Sequence, residues 1–577
     1  MRPELLAVRA INQYRRRDIL AYIGLRYYLE NSTALSNRWI EDVSTHLLRT
    51  RSEPIYYKSH HFKEVDRDGS IKHRAIYVSG PNEILAETAL LYQCASEAVF
   101  RSSKQVYSYQ FPSAADKQGV FRSYFPGFKE RHQLVRMACI DSPDSIVQYT
   151  DIRKFYPSIT TELARKTWSS VCESSNLAEP YQELGHKILD DHASTSARQV
   201  DGAGILTGPM FSHLIANLIL AEIDDLMFQE TGGKYWRYVD DVILVGSESK
   251  IKKSRALLKL LLDDLGFELH AEGKDFKVGS SEWLEGADDF ADETSTPWMA
   301  LIGNLKRFLV VKSEERTQLS RIFLENGINI PLLDYSSVVK ESNYLESLHD
   351  WLTRYRWAYI ALGSIKLDGL VYDALAARQI YEGKLRELLD QLASKSGYSR
   401  KRLIPKIRYC AGRLTYLAMP ETLDEISEIM AHYPELRLRS AIMKAVSSRD
   451  VTEVLKLGNN AVQAAAQILR IAKEPVTLSS DGFNEVDLQG IAVLQLNGIE
   501  IKNFDLGEIQ TGLLNQFASG DNPLELMKSE DLFVKELACL RGVERTLQHR
   551  DFLDTAFDRD ESLTFDIINQ LNDSSYY

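Results

Sequence analysis

Residues 234–247, KYWRYVDDVILVGS, place two adjacent aspartates, Asp240 and Asp241, between two runs of aromatic and β-branched residues. Such runs predict two strands, and the aspartates between them predict the tight turn of a β-hairpin. Two buried carboxylates without partners would cost several kcal/mol of free energy, and their pKa values would rise. A divalent cation removes that cost, because hard cations prefer oxygen ligands. An exposed hairpin tip with an ordinary Asp-Asp turn is the alternative, and these residues alone leave both interpretations open.

A third aspartate, Asp151, ends the segment SIVQYTDI, which alternates with the period of a strand. Two-metal phosphoryl transfer needs carboxylates from separate strands, so that two ions about 4 Å apart hold the attacking and the leaving oxygens. A strand-end aspartate and a hairpin that carries a pair supply such a set. We therefore expect Asp151 to lie beside Asp240 and Asp241.

Between these carboxylates, Gly208 and Pro209 interrupt the chain just before a long segment with helical periodicity. The helical pattern begins at Met210, and the glycine pair Gly232 and Gly233 ends it. A glycine loop of this kind lets a nucleotide approach the backbone closely, although a Gly-Pro helix start more often has only a structural role.

In chain order, TDIRKFYPSI, LTGPMFSHLIAN and YVDD resemble motifs A, B and C of reverse transcriptases, the last at residues 238–241. The resemblance implies an α+β fold with the fingers and palm of a right-hand polymerase. It implies that Asp151, Asp240 and Asp241 are catalytic and bind two Mg²⁺ ions, with Mn²⁺ as an alternative. It also adds Ile152, next to Asp151, to the metal-binding positions.

The same resemblance implies a set of nucleotide-binding residues. Tyr156 of motif A would lie under the sugar and reject a 2′-hydroxyl, so that deoxynucleotides are selected, and Gly208 of motif B would border the nucleotide. Lys72 and Arg74 match the fingers strands that grip a triphosphate, a task that suits cationic side chains. In GFELHAEGKDFKVG, which is similar to motif D, Lys274 would approach the triphosphate or the leaving group.

Other segments follow the family less closely. The dipeptide Asp68-Gly69 predicts the turn of the hairpin that carries the fingers cations. Residues 300–310, ALIGNLKRFLV, are similar to a primer-grip hairpin, so a hairpin is expected there. His213 stands in motif B where proline is common, and no conventional thumb follows motif D.

The second half of the chain has helical patterns almost throughout, as in the amphipathic residues 344–362. From about residue 400 to 475, short helical segments are separated near Pro420, Pro434, Gly458 and Pro475, which predicts an array of stacked helices. We therefore expect a reverse-transcriptase-like fingers and palm domain at 1–315 and an all-α, HEAT-like helical-repeat domain at 316–577.

This combination, with VYSYQF at 106–111 and FRSYFPGF at 121–128, is similar to bacterial abortive-infection and defence-associated reverse transcriptases. The resemblance implies antiphage defence, homo-oligomers and deoxynucleoside triphosphates as substrates. It also implies template-independent synthesis of single-stranded DNA, primed from a tyrosine of the protein and attached to it. An RNA-templated reverse transcriptase that uses a noncoding RNA is one alternative, and a catalytically silent nucleotide-binding scaffold or sensor is another.

The composition bears on nucleic-acid binding, on metal or disulfide sites and on the cellular location. The net charge of −12 argues against a surface that coats nucleic acid indiscriminately, but it leaves a local basic channel open. The five cysteines lie far apart and form no Cys or Cys/His cluster, which predicts neither a structural zinc site nor a disulfide framework. No segment approaches the roughly 18 consecutive apolar residues of a membrane span, so we expect a cytoplasmic protein without a membrane partner.

Overall fold

A computed structural model gives the fold of the chain in two compact units. The first unit contains Met1–Tyr57 and Ile76–Asp292, and the second contains Lys58–Ala75 and Glu293–Tyr577. Helices and small sheets together form an α+β structure, the class that the sequence predicts. The structure describes residues 9–10, 13–14, 54–66, 68–112, 119–122, 124–199, 204–271, 274–285, 295–332, 365–472, 474–479, 483–503, 531–535 and 537.

The first half of the described chain mixes strands with helices. The first two strands form a hairpin whose base belongs to the first unit and whose tip belongs to the second. In chain order the elements are β1 (Tyr56–Val65), β2 (Ile71–Ser79), α1 (Pro81–Cys94), α2 (Tyr124–Asp141), β3 (Ile146–Arg153), α3 (Phe155–Ser158), α4 (Thr161–Glu173), α5 (Glu179–Gln199), α6 (Met210–Thr231), β4 (Tyr235–Tyr238), β5 (Asp241–Gly246), α7 (Glu248–Asp264), β6 (Glu268–Leu269), β7 (Phe276–Gly279) and α8 (Ser280–Leu284).

Strand β3 is the centre of the sheet in the first unit. Strand β5 pairs with one edge of β3 and β4 extends the sheet beyond β5, while β6 and β7 pair with successive parts of the other edge. All four pairings are antiparallel. Every residue of β4 and β5 is buried, which explains why their sequences are continuous apolar runs interrupted only by Arg237 and Asp241. The strands that the sequence predicts around Asp151 and around YVDD are confirmed.

The predicted turn and helix boundaries follow from individual glycines. Gly69 has a φ of +84°, and the Asp66 N–H donates to the Ser70 carbonyl oxygen across the hairpin turn (2.8 Å). Helix α6 begins at Met210 and ends before Gly232, whose φ is +64°. Glycine adopts these conformations without the steric cost that other residues incur, so both predictions are confirmed at the expected positions.

The start of α6 is stabilised by a residue from another helix. Pro209, the residue before α6, offers no side-chain cap. Instead, the carboxylate of Glu87 on α1 accepts a hydrogen bond from the Phe211 N–H (3.0 Å), and Ser79 Oγ also donates to it (3.3 Å). A negative charge at a helix N-terminus is favourable. Burial nevertheless raises the pKa of Glu87 to about 7, although the bonds from Phe211 and Ser79 oppose the shift.

We expect Glu87 to make the protein less stable as the pH rises from 4.5 to about 7. The unfolded carboxyl group loses its proton near its ordinary pKa of 4.5, whereas the folded one keeps its proton to about 7. The stabilising contribution of Glu87 is therefore complete below pH 4.5 and lost above about pH 7. The free energy of unfolding changes by up to about 3 kcal/mol between these two pH values.

The variant Glu87→Gln keeps an acceptor for the Phe211 N–H but cannot ionise. Its free energy of unfolding should exceed that of the wild type at pH 8 and should approach it at pH 4.5. Urea unfolding across this pH range measures the difference, and parallel pH profiles for the two proteins would contradict the expectation.

The described part of the second unit is mainly helical. Its elements are α9 (Thr296–Val311), α10 (Arg316–Glu325), α11 (Leu367–Ser394), α12 (Gly397–Leu417), α13 (Pro420–Ala431), α14 (Arg437–Ser448), α15 (Thr452–Lys456), α16 (Asn459–Leu469), β8 (Val476–Leu478), α17 (Glu485–Leu496) and β9 (Ile501–Asn503). Successive helices pack in pairs, α11 with α12, α13 with α14 and α16 with α17. Strands β8 and β9 form a small parallel sheet that the sequence did not predict.

Helices with interruptions at or near the predicted prolines and glycine are confirmed between about residues 400 and 475. The first of them, α12, is longer than expected, since it continues through Pro405 for 21 residues. A HEAT-like repeat and a domain boundary at residue 315 stay predictions. The amphipathic residues 344–362 lie outside the described residues. Among the helices that the structure describes, none combines the length and apolar composition needed to cross a membrane.

The prediction of a primer-grip hairpin at residues 300–310 is wrong, because these residues lie within helix α9. Leu301, Leu305 and Phe308 recur at helical spacing, and all three are buried on one side of the helix. A strand would have placed Phe308 on the face opposite Leu301 and Leu305, so the apolar period of the segment favours the helix.

Candidate metal centre

Three aspartates from two parts of the chain lie together in the first unit. Asp151 on β3 is directly opposite Asp241 on β5, so their side chains share one face of the sheet. Asp240 lies in the turn between β4 and β5, and its carbonyl oxygen accepts a hydrogen bond from the Ile152 N–H (3.0 Å). One carboxylate oxygen from each aspartate lies within 4.8 Å of the other two. Asp151 and Asp241 are buried, and Asp240 is partly exposed.

The turn that carries Asp240 has an unusual backbone. Val239 has a φ of +57°, a conformation that β-branched residues rarely adopt. Hydrogen bonds hold both of its backbone groups: the Val239 N–H donates to Ser108 Oγ, and its carbonyl oxygen accepts from Arg237 Nη1, each at 2.8 Å. Such strained residues persist where their surroundings fix them, and here the fixed residue precedes the aspartate pair.

Arg237 joins this turn to α6. Its Nε and Nη2 donate to the two carboxylate oxygens of Asp224 (2.8 and 2.7 Å), and Nη1 also donates to Asn217 Oδ1 (3.1 Å). The Tyr235 hydroxyl donates to the same Asp224 carboxylate (2.7 Å). Arg237 and Asp224 are both about 1% exposed, so the pair is a buried bidentate ion pair. It fixes the turn, and with it the aspartates, against the helix that follows Gly208.

Removing one member of this pair should be strongly destabilising. Arg237→Met leaves Asp224 charged and buried, so we expect the free energy of unfolding to fall by about 3–5 kcal/mol. The double variant Arg237→Met/Asp224→Asn should recover a large part of that loss. Chemical unfolding of the four proteins of this double-mutant cycle measures the coupling.

The exposed ion pair Arg153–Glu268 (3.1 Å) provides the control. Because both side chains are more than half exposed, Arg153→Met should cost less than about 1 kcal/mol. Additive losses in the Arg237–Asp224 cycle would contradict the buried coupling.

Asp241 has a buried carboxylate group whose charge is only partly offset by neighbouring groups. Burial, and then the neighbouring charge of Asp240, raise its pKa well above the ordinary value. The buried cation Arg131 on α2 and a hydrogen bond from the Tyr149 side chain act in the opposite direction. Its Oδ2 atom is nevertheless buried without a hydrogen-bond partner in the part of the chain that the structure describes. A buried carboxylate oxygen in this state needs a proton or a cation.

Lys274 lies on the other side of the cluster. Its Nζ donates to Asp151 Oδ2 at 2.8 Å, and His270 Nε2 lies 3.5 Å from Asp151 Oδ1. Burial lowers the pKa of Lys274, but the hydrogen bond and the charge of Asp151, with the neighbouring aspartates, raise it more. Lys274 therefore stays cationic and offsets part of the negative charge.

The donor set fits a hard divalent cation. Three carboxylates converge, Asp241 Oδ2 has no hydrogen-bond partner among the described residues, and the ligands are oxygens, which suit Mg²⁺ and Mn²⁺. Asp151, Asp240 and Asp241 would hold such an ion, and Ile152 could add only its backbone carbonyl oxygen.

Mg²⁺ or Mn²⁺ should raise the Tm of the wild-type protein, because the ion binds this arrangement only in the folded state. Asp151→Asn and Asp240→Asn each remove a ligand and should diminish that increase. Asp241→Asn should in addition raise the Tm in EDTA, since it removes a buried like charge. Thermal unfolding with EDTA or with the metal alone measures these shifts.

Asp225 is an exposed acid on α6 outside the cluster, so Asp225→Asn should keep the full metal-dependent increase. An Asp151→Asn protein whose Tm rises with Mg²⁺ as much as that of the wild type would rule out this metal site.

Tyr156 is fixed by a pair of rings from elsewhere in the unit. It lies in α3, directly after β3, and its hydroxyl is hydrogen-bonded to His213 Nδ1 on α6. The His213 ring in turn stacks on Tyr109, with ring centroids 3.8 Å apart and planes within 3°. His213 therefore has a structural role here, because it holds the phenol of Tyr156.

Gly208 lies against the base of the first hairpin. Its φ is +130°, and a Cβ atom at this position would lie 2.2 Å from the Tyr77 carbonyl oxygen. The Tyr77 N–H donates to the Thr207 carbonyl oxygen (2.8 Å). Only glycine fits so close to the Tyr77 carbonyl oxygen. The group that approaches the Gly208 backbone in the structure is therefore the backbone of β2.

Lys72 and Arg74 lie on the part of β2 that belongs to the second unit, and both side chains are exposed. Lys72 forms an ion pair with Asp66 across the hairpin (2.7 Å). They are therefore not among the residues that the first unit brings together around the aspartates.

Sequence reasoning missed the residues that support the cluster. Arg237 could have been found from the sequence, because a charged residue inside an apolar strand needs a buried partner. Asp224 could have been found in the same way, since it is a charged residue on the apolar side of α6. Nothing in the sequences of the segments around Ser108, Arg131 and His270 indicates that these residues support the cluster.

Comparison of the chain with protein-family models gives no match, and comparison with curated proteins finds no similar sequence. The fold and the site define an α+β protein with a carboxylate cluster that could hold a metal ion.

Proposed function

We propose that this protein is a metal-dependent nucleotidyltransferase of the reverse-transcriptase type, which transfers deoxynucleotides to a hydroxyl group and releases pyrophosphate. One observation carries the proposal: Asp151 from β3, Asp240 from a hairpin turn and Asp241 from β5 each bring one carboxylate oxygen within 4.8 Å of the other two. The segments that supply them are those that resemble motifs A and C. Asp241 Oδ2, which is buried and has no hydrogen-bond partner within the described ranges, supports a cation there.

The residues of the candidate site would divide the tasks of such a reaction among them. Bound Mg²⁺ ions would activate the attacking hydroxyl and neutralise the charge that develops on the phosphates. Asp151, Asp240 and Asp241 would hold them, on a backbone that the Arg237 network keeps in place before substrate arrives.

Cationic side chains would bind the triphosphate. Lys274, whose Nζ donates to Asp151 Oδ2 at 2.8 Å, would donate a hydrogen bond or a proton to the leaving pyrophosphate. Lys72 and Arg74, exposed on the hairpin, would pair with triphosphate oxygens.

Tyr156 would select the sugar. Its position directly after β3 and its fixed phenol, held by His213 and Tyr109, suit a rigid wall that a 2′-hydroxyl would strike. A wall that moved would discriminate less between ribose and deoxyribose, because discrimination requires an unavoidable clash.

The alternatives for this activity differ in which molecule supplies the attacking hydroxyl group. We favour a tyrosine of the protein, with untemplated single-stranded DNA attached to it, on the resemblance to defence-associated reverse transcriptases alone. The same resemblance motivates the proposals of antiphage defence and of a homo-oligomer.

Purified protein with Mg²⁺ and single deoxynucleoside triphosphates, with no template added, tests the proposal. We expect incorporation, and a product that stays attached to protein after denaturation. Asp240→Asn should lower the rate by about 10²–10³-fold or more, because it removes a ligand from the charged centre. Asp225→Asn, outside the cluster, should leave the rate unchanged.

The other outcomes discriminate between the alternatives. Synthesis only after RNA is added would favour an RNA-templated reverse transcriptase. Absence of incorporation under both conditions, together with phage protection by an Asp240→Ala protein, would favour a silent nucleotide-binding scaffold and would overturn the proposed activity.

A further inference from the structure

A row of side chains crosses three strands of the sheet in the first unit and ends at Arg131. Asp151 on β3 is directly opposite Asp241 on β5, and Asp241 is directly opposite Tyr238 on β4. Side chains of directly opposite residues share one face of a sheet. The Cζ atom of Arg131 lies 5.3 Å from the centre of the Tyr238 ring, and α2, which carries Arg131, packs against β4 and β5. A guanidinium group therefore lies at the end of the row that contains the two buried aspartates.

The guanidinium group of Arg131 is buried without the kind of carboxylate partner that Asp224 provides for Arg237. Arg131 is 1% exposed, and its Nε and Nη1 atoms have no hydrogen-bond partner in the described part of the chain. Its Cζ atom lies 5.0 Å from the centre of the Phe128 ring, in addition to the contact with Tyr238. Aromatic rings offset part of the cost of burying a cation, but they do not neutralise its charge. Charges interact over longer distances in a protein interior than in water, so this cation acts on the aspartates.

Arg131 affects the pKa values of two groups on the same face of the sheet. Burial and the charge of Asp240 raise the pKa of Asp241, and the charge of Arg131 opposes that rise. Burial and the charge of Asp241 raise the pKa of Tyr149 well above its ordinary value, and Arg131 opposes this rise as well. The guanidinium group and the carboxylate cluster therefore interact electrostatically.

Lys274 is the fixed cation at the other end of the row. Its Nζ donates to Asp151 Oδ2 (2.8 Å), but its side chain is 49% exposed, so solvent screens its charge more than that of Arg131. A divalent cation that binds the three carboxylates is repelled by both of these charges. The affinity of a carboxylate site for such an ion depends on the net charge around it, so two fixed cations weaken binding.

We infer that Arg131 sets the affinity of the metal centre: its fixed positive charge weakens the binding of a divalent cation to Asp151, Asp240 and Asp241, so that the ion exchanges with the solution. Arg131 acts through its charge and not as a ligand, because a cation does not coordinate a metal ion. This inference rests on the metal centre of the proposed function, but not on the transfer of a nucleotide. Loss of a residue that only supports a metal site weakens binding, whereas loss of Arg131 should strengthen it.

Arg131→Met removes the charge and keeps an unbranched side chain that can pack on the aromatic rings. In the full chain, the Kd for Mn²⁺ should fall about tenfold or more, because one of the two fixed charges that repel the ion is lost. Arg131→Lys keeps a charge at this place, so its Kd should stay within about threefold of the wild-type value. Electron paramagnetic resonance of unbound Mn²⁺ measures both values without nucleotide. Oxygen-free buffer at about pH 8.5 suits the titration, because few protons then compete with the ion for the carboxylates.

Arg136→Met is the matched control, because Arg136 is an exposed arginine on the same helix. It removes the same charge from the protein, but solvent and salt screen that charge, so the Kd for Mn²⁺ should change by less than about twofold. Thermal unfolding in EDTA shows whether each variant is folded before the titration. If Arg131→Met does not fold, Arg131→Gln decides the result, because it removes the same charge and keeps a polar group at this position.

A double variant shows where the ion binds. Asp151→Asn removes one carboxylate of the cluster, so Arg131→Met/Asp151→Asn should lose the stronger binding of Arg131→Met. If the double variant bound Mn²⁺ as tightly as Arg131→Met, the ion would occupy a different place and the inference would be overturned.

The other outcomes separate the inference from the proposed function. Unchanged or weaker Mn²⁺ binding in a folded Arg131→Met protein would overturn the inference, and so would an equally strong increase in affinity in Arg131→Lys or Arg136→Met. A wild-type protein that binds Mn²⁺ but incorporates no nucleotide would overturn only the proposed activity, because the Kd comparison still decides the role of Arg131. A wild-type protein that binds no Mn²⁺ would overturn both the inference and the metal centre.

Discussion

Mutual repulsion among three aspartates is the constraint that organises the first unit. Asp151, Asp240 and Asp241 bring their oxygens within 4.8 Å, two of them in a buried setting where charge is costly. Nothing in the carboxylates themselves would keep them together. The strand register, the strained Val239 and the buried Arg237 supply the opposing force. The scaffold is therefore rigid where the charges are closest, which is what a site prepared for a cation requires.

Much of the framework could be predicted from the sequence because its signals are local. The strand around Asp151, the hairpin turn at Asp68-Gly69 and the limits of α6 follow from residue periods of two or 3.6 and from glycines at positive φ. The proximity of the three aspartates followed from the order of the motifs. A local pattern specifies an element, whereas the spacing of several motifs indicated which elements lie side by side.

The supporting interactions could not be predicted in the same way, because each joins residues that are distant in the chain. The sequence of α1 does not show that Glu87 stabilises the start of α6, and that of α17 does not show that Gln489 pairs with a strand more than 400 residues earlier. The error at residues 300–310 has a different origin. There the resemblance outweighed the helical spacing of Leu301, Leu305 and Phe308, and the apolar period was the better guide.

The crossing of the hairpin between the two units has a practical consequence for dividing the protein. A fragment starting at residue 293 would retain the helices but lose residues 58–75. In the full chain the buried amides of Gln489 and Asn459 bond to the hairpin, since Gln489 Nε2 donates to the Lys58 carbonyl oxygen (3.0 Å) and Asn459 Nδ2 donates to Ser59 Oγ (2.9 Å). Without the hairpin, both amides would be available to any extended peptide, as the backbone groups of an open sheet edge are. Such a fragment should bind extended peptides non-specifically and self-associate. A fragment that keeps the second unit intact would have to include residues 58–75 together with the helices.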